Sequence, residues 1–276
     1  MSAKVLPPFD LEAVLASAAS AAEAAGEQVM ARFRAIDLQI DGKGDGSPVS
    51  EADRAAEQLI RQHLGAAFPH IDIFGEEQGY SDTGSSYRFV VDPIDGTLSF
   101  ISGIPLFGTL IGIEERNSGQ AIGGVLHLPG LGETYVGGPG LGLRCNHQQL
   151  PNIDQRRGRA QDQPDNPFAA EIISAGDPLQ FHNAGCPQDH ARLSQKPLFR
   201  GYSDCFGHAM VLRGAVGAMV DPALAPWDLV ASTALVRAAG GTVFTRQSKL
   251  AGHTDAILGR PDLVTALSLE LGWRTS

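Results

Sequence analysis

Residues 89–100 read FVVDPIDGTLSF: an apolar run ends in two carboxylates, Asp92 and Asp95, and Gly96 and Thr97 follow at once. Two chemistries at phosphorus use carboxylates placed this way. In one, an aspartate attacks and carries the phosphoryl group itself; in the other, aspartates hold metal ions and water attacks. Spacing separates them. A covalent mechanism working from one strand end wants its nucleophile and its acid two residues apart, so that both project on one side. Here Pro93 and Ile94 intervene, and along a strand whose side chains alternate the extra residue breaks that pairing.

A phosphatase of the haloacid-dehalogenase type is therefore not expected, and no later acidic pair stands in an obvious position to hold its magnesium. Other acids favour the metal reading. FGEEQG places Glu76 and Glu77 directly after an apolar strand, and PWDLVA places Asp228 in the first turn of a helix. Strand ends and helix starts are where a layered fold gathers side chains into one cleft. Oxygen ligands alone suit Mg²⁺, which takes a few carboxylates, keeps waters and accepts substrate phosphate. No histidine spacing competes for zinc; the eight histidines are assigned no role, and Cys205 is read as packing.

These side chains need elements to hold them. Residues 9–35 form an expected Ala-rich helix without an internal proline, and a second helix is expected over 51–64, with Ser50 as N-cap and an apolar stripe at Ala52, Ala56, Leu59, Ile60 and Leu64. Short apolar runs at 71–74, 89–91, 106–113, 121–128, 133–136 and 141–145, separated by turn residues, read as an antiparallel meander. Polar residues 146–168, which contain the basic RRGR at 156–159, read as a surface loop between two lobes. Further strands are expected at 171–174, 218–220, 242–244 and 256–258. Helices are expected at 206–215, 227–239 and 261–271, the second stopped by Gly240-Gly241. The fold class is layered and mixed, α/β or α+β.

Length and composition narrow the partners. A chain of 276 residues with 43% hydrophobic residues has room for a buried core in one or two domains. A formal charge of −10 argues against nucleic acid. It would also repel a phosphate ester unless metal cations intervene, so the acids recruit metal and the metal recruits phosphate. No apolar run approaches the roughly 20 residues a membrane span needs. Asp10 and Glu12 precede AVLASAASAAEAAG, where a secretion leader wants positive charge. Three scattered cysteines form no disulfide framework or CxxC pair, so the expected setting is the cytoplasm.

The GEE, DPIDGT and WDLVA segments, in this order and at these separations, resemble the signature of the inositol monophosphatase superfamily of magnesium-dependent, lithium-sensitive phosphatases. The likeness covers residues 43–241. It implies an α+β fold, the layered α-β-α-β-α sandwich of the inositol monophosphatase and fructose-bisphosphatase type. Residues 1–150 would form the lobe with the GEE and DPIDGT motifs, residues 151–276 the lobe with the WD motif and the substrate pocket, and the chain would pair as a homodimer. By position, Glu76, Asp92 and the carbonyl of Ile94 would hold one Mg²⁺; Asp92, Asp95 and Asp228 would hold a second. Thr97 with Glu76 would position and activate the attacking water, and the N–H groups of Gly96 and Thr97 would receive the phosphate. SPVSEADRAAE resembles the segment whose aspartate bonds to the active-site threonine, which gives that role to Asp53. Lys43 resembles a mobile-loop lysine near a third metal position. Its loop, DGKGDG, also looks like an EF-hand start, but Lys43 stands where a ligand belongs and Ala52 replaces the closing glutamate.

Each of these residues has an ordinary alternative. Asp53 could complete a capping box with Ser50, Asp228 could favour a helix dipole, Glu76 and Glu77 could be solvated, and Asp92 before Pro93 could be turn chemistry. The substrate is read by other positions. Where inositol phosphatases carry small residues, Asp204 stands, with a helix N-cap as its ordinary alternative. Asp221 takes the place of a substrate-binding glutamate. Inositol offers only hydroxyls, whereas histidinol phosphate offers an ammonium and an imidazole, which donate to carboxylates. With SFISGIPLFGTLIG and the Asp204-Cys205-Phe206 triplet, this resembles the histidinol-phosphatase branch. The expected activity is release of phosphate from L-histidinol phosphate. An inositol-1-phosphate phosphatase is the alternative enzyme, and a catalytically idle regulatory relative the alternative class. That last class would show a lost metal carboxylate or a lost Thr97, and none is lost.

Overall fold

The run that carries Asp92 and Asp95 becomes β5 (Tyr87–Asp95), a strand inside an eight-stranded sheet. The chain is seen in a computed structural model, which describes residues 7–44, 46–155, 168 and 171–274; the RRGR segment lies outside them. Beside β5 lie β3 (Asp72–Gly75) with its hairpin partner β4 (Gly79–Ser81) on one side. On the other side follow β6 (Gly108–Glu115), β7 (Gln120–Leu128), β8 (Glu133–Gly138), β9 (Gly142–Cys145) and β10 (Gln148–Leu150). From β5 to β10 the sheet is the expected antiparallel meander. The expectation fails at β3, which pairs with β5 in parallel: the chain turns back through β4, and residues 82–86 then pass the start of β3 to reach β5.

Both faces of this sheet are covered, which is why its central strands read as nearly continuous apolar runs. On one face lie α1 (Leu11–Arg32) and α2 (Glu51–Ala67), with Asp10 capping the first through Glu12 N and Ala13 N, and Ser50 capping the second. The small side chains Ala18, Ala21, Ala22 and Ala25 let α1 lie close to β6 and β7. Before α2, a two-stranded ribbon pairs β1 (Ile40–Gly42) with β2 (Pro48–Ser50). On the other face lie α6 (Asp204–Leu212) and α7 (Pro226–Ala238). A Cβ at Gly112 of β6 would come 2.7 Å from the backbone N of Ala231, and one at Gly124 of β7 would come 2.5 Å from its carbonyl oxygen. Paired in register, these two glycines form the bed in which α7 sits directly on the strands.

Beyond α6 and α7 is a four-stranded sheet in the order β11 (Ile173–Ala175), β12 (Ala218–Leu224), β14 (Thr254–Gly259), β13 (Thr242–Gln247). Its outer face is covered by α4 (Pro178–Asn183), α5 (Pro187–Leu193) and α8 (Pro261–Glu270). The layers are helix, sheet, helix, sheet, helix, as the resemblance implied. Two short helices, α4 and α5, fall where no element was expected. Each begins on a proline, which tolerates the first helical position because the N–H it lacks would have no partner there. A short α3 (Thr97–Ile101) follows β5 directly, and residues 146–155, expected as loop, contain β10 and a 3₁₀ turn at Ile153–Gln155.

Candidate metal and phosphate site

Geometry restores what the alternation argument had removed. Between Asp92 and Asp95 the register of β5 shifts: Asp92 pairs with Leu110 and Asp95 with Gly108, so three steps on β5 face two on β6. The extra residue of this bulge returns Asp95 to the side of Asp92. Pro93, which has no N–H for a ladder, is tolerated inside the strand for the same reason, and its carbonyl accepts from Thr109 Oγ1 at 2.9 Å. Spacing over three residues therefore does bring two carboxylates together, contrary to the simple alternation rule.

Asp228 completes the group from the opposite layer. Seated on the glycine bed, α7 presents its first turn to the end of β5, and Asp92, Asp95 and Asp228 each offer a carboxylate oxygen within 4.8 Å of the others. Asp228 Oδ2 accepts from Ala225 N at 2.8 Å, so the ordinary helix-start role is real and leaves the other oxygen free of that bond. Asp95 Oδ2 accepts from Cys205 N at 2.8 Å, tying the strand end to the start of α6. Cys205 is packed, as expected, but its backbone is also the anchor of Asp95. Asp92 Oδ1 is buried and has no hydrogen-bond partner.

Burial raises all three acids, and their neighbours add to it. Asp92 is pushed well above the carboxylate range by desolvation and by Glu76, Asp95 and Asp228. Asp95 is pushed up likewise by burial, then Asp204, Asp228 and Asp221. Asp228 is pushed up to about 8, by burial first and Glu76 next. Such a group is unfavourable as bare anions and favourable around a cation. The orphaned Asp92 oxygen, the oxygen-only donors and the mutual repulsion all fit a divalent metal ion.

Glu76 follows β3, its N–H bonded to the Val91 carbonyl of β5, which holds it beside Asp92. Glu76 and Glu77 are half-buried and paired rather than free in solvent. Lys43 Nζ donates to Glu76 Oε1 and to Glu77 Oε1, each at 2.6 Å. Burial alone would lower the Lys43 pKa, but these two bonds outweigh it and raise it. Glu57 of α2, which sequence reasoning did not single out, fixes this turn by accepting from Glu77 N and Gln78 N while Arg61 balances its charge.

Asp53 does two things at once. Its Oδ2 accepts from Ser50 N at 2.8 Å and Ser50 Oγ at 2.6 Å, the capping box of the ordinary reading; its Oδ1 is 3.1 Å from Thr97 Oγ1. Burial raises the Asp53 carboxyl despite these bonds. Thr97 Oγ1 is also 3.0 Å from the Ile94 carbonyl, and Gly96, with φ +87°, makes the left-handed turn that swings the chain from β5 into α3.

On the far side of Gly96 stand the other acids. Asp204 opens α6 but does not cap it: Ser203 is the N-cap residue, no side-chain cap bond forms, and the N–H of Cys205 goes to Asp95 instead. The N-cap alternative is thus not realised. Asp204 Oδ2 would lie 3.3 Å from a Cβ at Gly96, and the carboxyl is pushed up to about 6 by burial and then by Asp221. Asp221 is fully buried on β12, just before a second bulge at Pro222-Ala223, where Asp221 pairs with Ala256 and Leu224 with Thr254. These two bulges, unlike the one where β6 meets β7 at Ile113-Glu114, each contain the proline of an Asp-Pro pair, a signal present in the sequence and not used. Two residues near Asp221 were missed outright: Asp177, which caps α4 through Leu179 N and adds to the charge around Asp204, and His208, which bonds to Asp221 Oδ2 at 3.1 Å.

A family model described as "Inositol monophosphatase family" matches residues 10–270. A histidinol-phosphatase of Chlorobaculum parvum is 38% identical across 84% of this chain and 86% of its own. An inositol-1-monophosphatase of Mesorhizobium japonicum is 31% identical across 81% and 82%. Among solved structures, the extragenic suppressor protein suhB of Bartonella henselae superposes with a TM-score of 0.80 at 27% identity, covering 94% of this chain and 98% of the other. The protein is a phosphomonoesterase by fold, acidic site and relatives. Its family is the inositol monophosphatase family, to which the chain belongs.

Proposed function

We propose that the chain hydrolyses L-histidinol phosphate with Mg²⁺, using a metal and water site at the end of β5 and a separate acidic subsite for the organic half. The observation that supports this substrate is the pair of neighbouring carboxylates Asp204, beside Gly96, and Asp221, which attract a cationic ester more strongly than a neutral, hydroxylic one. The 38% identity to a relative named histidinol-phosphatase points to the same substrate.

Glu76, Asp92, the Ile94 carbonyl, Asp95 and Asp228 would hold two ions, with a third position near Lys43. When bound, the ions neutralise phosphoryl charge and lower the pKa of a water. The remaining work belongs to the chain. Thr97 directs its hydroxyl hydrogen towards Asp53 Oδ1 or the Ile94 carbonyl, which leaves a lone pair of Oγ1 to accept a hydrogen bond from, and so orient, an attacking water whose proton would pass to the Glu76 carboxylate. Asp53, fixed by Ser50, holds that orientation. N–H groups of Gly96 and Thr97 would receive the phosphate, and Asp95, anchored on Cys205 N, keeps the strand end rigid under it. In this reading residues 1–150 bring the GEE and DPIDGT motifs and residues 151–276 the WD motif and the subsite. A homodimer and a cytoplasmic setting belong to the same reading.

Phosphate release with Mg²⁺ from histidinol phosphate and inositol-1-phosphate, measured side by side, tests it. A higher kcat/KM on histidinol phosphate is expected. The reverse preference would overturn the subsite assignment and leave the metal site standing.

A further inference from the structure

Behind the acidic subsite a chain of hydrogen bonds runs through the interior. Ser232 Oγ of α7 lies 2.8 Å from His208 Nδ1 of α6, and His208 Nε2 lies 3.1 Å from Asp221 Oδ2 of β12. All three are buried, with His208 at 1% exposure and Ser232 and Asp221 at 0%. With Asp221 Oδ2 as the acceptor, the geometry calls for a hydrogen on His208 Nε2 and leaves Nδ1 to the Ser232 hydroxyl. The other oxygen, Asp221 Oδ1, is buried and has no partner.

That orphan is not a general fault of packing. Oδ1 stands over Gly176, the residue after β11, whose N–H is bonded to the Val220 carbonyl at 3.0 Å and whose position is thereby fixed. A Cβ at Gly176 would overlap Asp221 Oδ1 and reach within 2.5 Å of Gln180 Oε1. The glycine leaves room for the carboxylate where any other residue would displace it. A buried acceptor held by one oxygen and empty at the other is costly unless a donor arrives. Asp177 and Asp204 stand nearby, so the donor that suits the place is a positively charged one.

We infer that His208 is a positioning residue for substrate selection: gripped by Ser232, it holds Asp221 by Oδ2 so that Oδ1 stays available to the ammonium of a phosphate monoester. The inference rests on the subsite reading proposed above and adds the device that keeps its inner acid aimed. His208 acts through Asp221 and does not touch the reacting atoms. Its position four residues after Asp204 puts both on one face of α6, so a single helix carries the outer acid and the support of the inner one.

The test begins with the wild-type protein, loaded with Mg²⁺, by ¹⁵N NMR of the histidine rings. A hydrogen on Nε2 of His208 is expected; an unprotonated Nε2 overturns the inference whatever the substrate proves to be. Kinetics follow on histidinol phosphate and inositol-1-phosphate. His208→Leu is expected to raise KM for histidinol phosphate about tenfold or more with a much smaller change in kcat and a much smaller loss on inositol-1-phosphate. His208→Gln, whose amide can donate to Asp221 and accept from Ser232, is expected to recover most of that loss. Gly176→Ala, which crowds Oδ1 without touching the histidine, is expected to behave like His208→Leu. Equal losses on both esters, with no recovery in the glutamine variant, would reduce His208 to a packing residue and overturn the inference. A wild-type enzyme with no preference for histidinol phosphate would instead sink the proposed substrate, and that result is in hand before any variant is made.

Discussion

Asp72, at the start of β3, and Asp92, near the end of β5, are buried carboxylates of one sheet, with 1% and 3% of their surface exposed. Asp72 accepts from Thr83 N, Thr83 Oγ1 and Tyr80 Oη at 2.8, 2.6 and 2.8 Å, and Arg116 supplies a guanidinium at 3.0 Å. Burial pushes its carboxyl up, but the Thr83, Tyr80 and Arg116 contacts outweigh that and hold it below the ordinary value. Asp92 has an oxygen without any partner, and its near neighbours are other acids. The same residue type at similar burial is completed by the protein in one corner and left incomplete in the other. Incompleteness of that kind is what a binding site for a cation looks like before the cation is counted. Asp255, held by Arg246 and Ala223 N, sides with Asp72; Asp95 and Asp228 side with Asp92.

The largest effect should come from the incomplete corner. Asp95→Asn removes a charge that a metal would need but keeps an oxygen to accept from Cys205 N. Activity with Mg²⁺ is expected to fall about a thousandfold or more, the equivalent of several kcal/mol of transition-state stabilisation. The metal-free variant is expected to be at least as stable as wild type, because repulsion is relieved. Full activity in this variant would sink the two-metal reading. The mirror experiment is Asp72→Ala, which strands several donors around a buried position. A stability loss of about 2–3 kcal/mol by urea unfolding is expected, with activity per folded molecule retained. If the two variants exchanged phenotypes, the contrast between the corners would be wrong.

A smaller effect is expected from pH. In the metal-free protein Asp228 is raised from 3.8 to about 8 and Asp204 to about 6, with Asp92 and Asp95 raised as well. Over that window the folded state binds more protons than the unfolded state, so stability falls as pH rises through it. Tm of the metal-free protein is therefore expected to be lower at pH 8 than at pH 5. Saturating Mg²⁺, which favours the deprotonated acids, should narrow or reverse that difference. An unchanged pH dependence with Mg²⁺ would mean that the ion does not bind among these groups.

How much of this was readable from the residues follows a physical line. DPIDGT, GEE and WD were legible because chemistry restricts residue type, and all of them meet at the end of β5. The layered fold was legible from helix and strand periodicity together with the family likeness. The bulges were not, because alternation assumes a regular strand, and only Pro93 and Pro222 hinted that the ladder breaks there. The parallel pairing of β3 with β5 was not legible either, since it depends on the short hairpin strand β4 that turns the chain back between them. His208 escaped because its partner lies on another element, although its spacing from Asp204 offered a clue. Short helices α4 and α5 escaped because their few residues carry too little periodicity to count.

Lys43 stands between the two regimes and gives the finest test of the contrast. It is a protein cation, like Arg116, yet it pairs with Glu76 at the edge of the incomplete group. If the acids at the end of β5 await a cation, Lys43 is an internal competitor for part of that place, and removing it frees Glu76 and Glu77 to bind metal. Lys43→Met keeps the apolar stem and deletes the charge. Mg²⁺ titration by calorimetry is expected to show affinity tightened a few-fold, about what one charge-assisted bond contributes once solvent competes for it. The metal-free variant should also lose some stability, since two half-buried glutamates lose their counterion. A weakened affinity would place Lys43 with Arg116, as a residue that completes the protein rather than one that yields to a ligand.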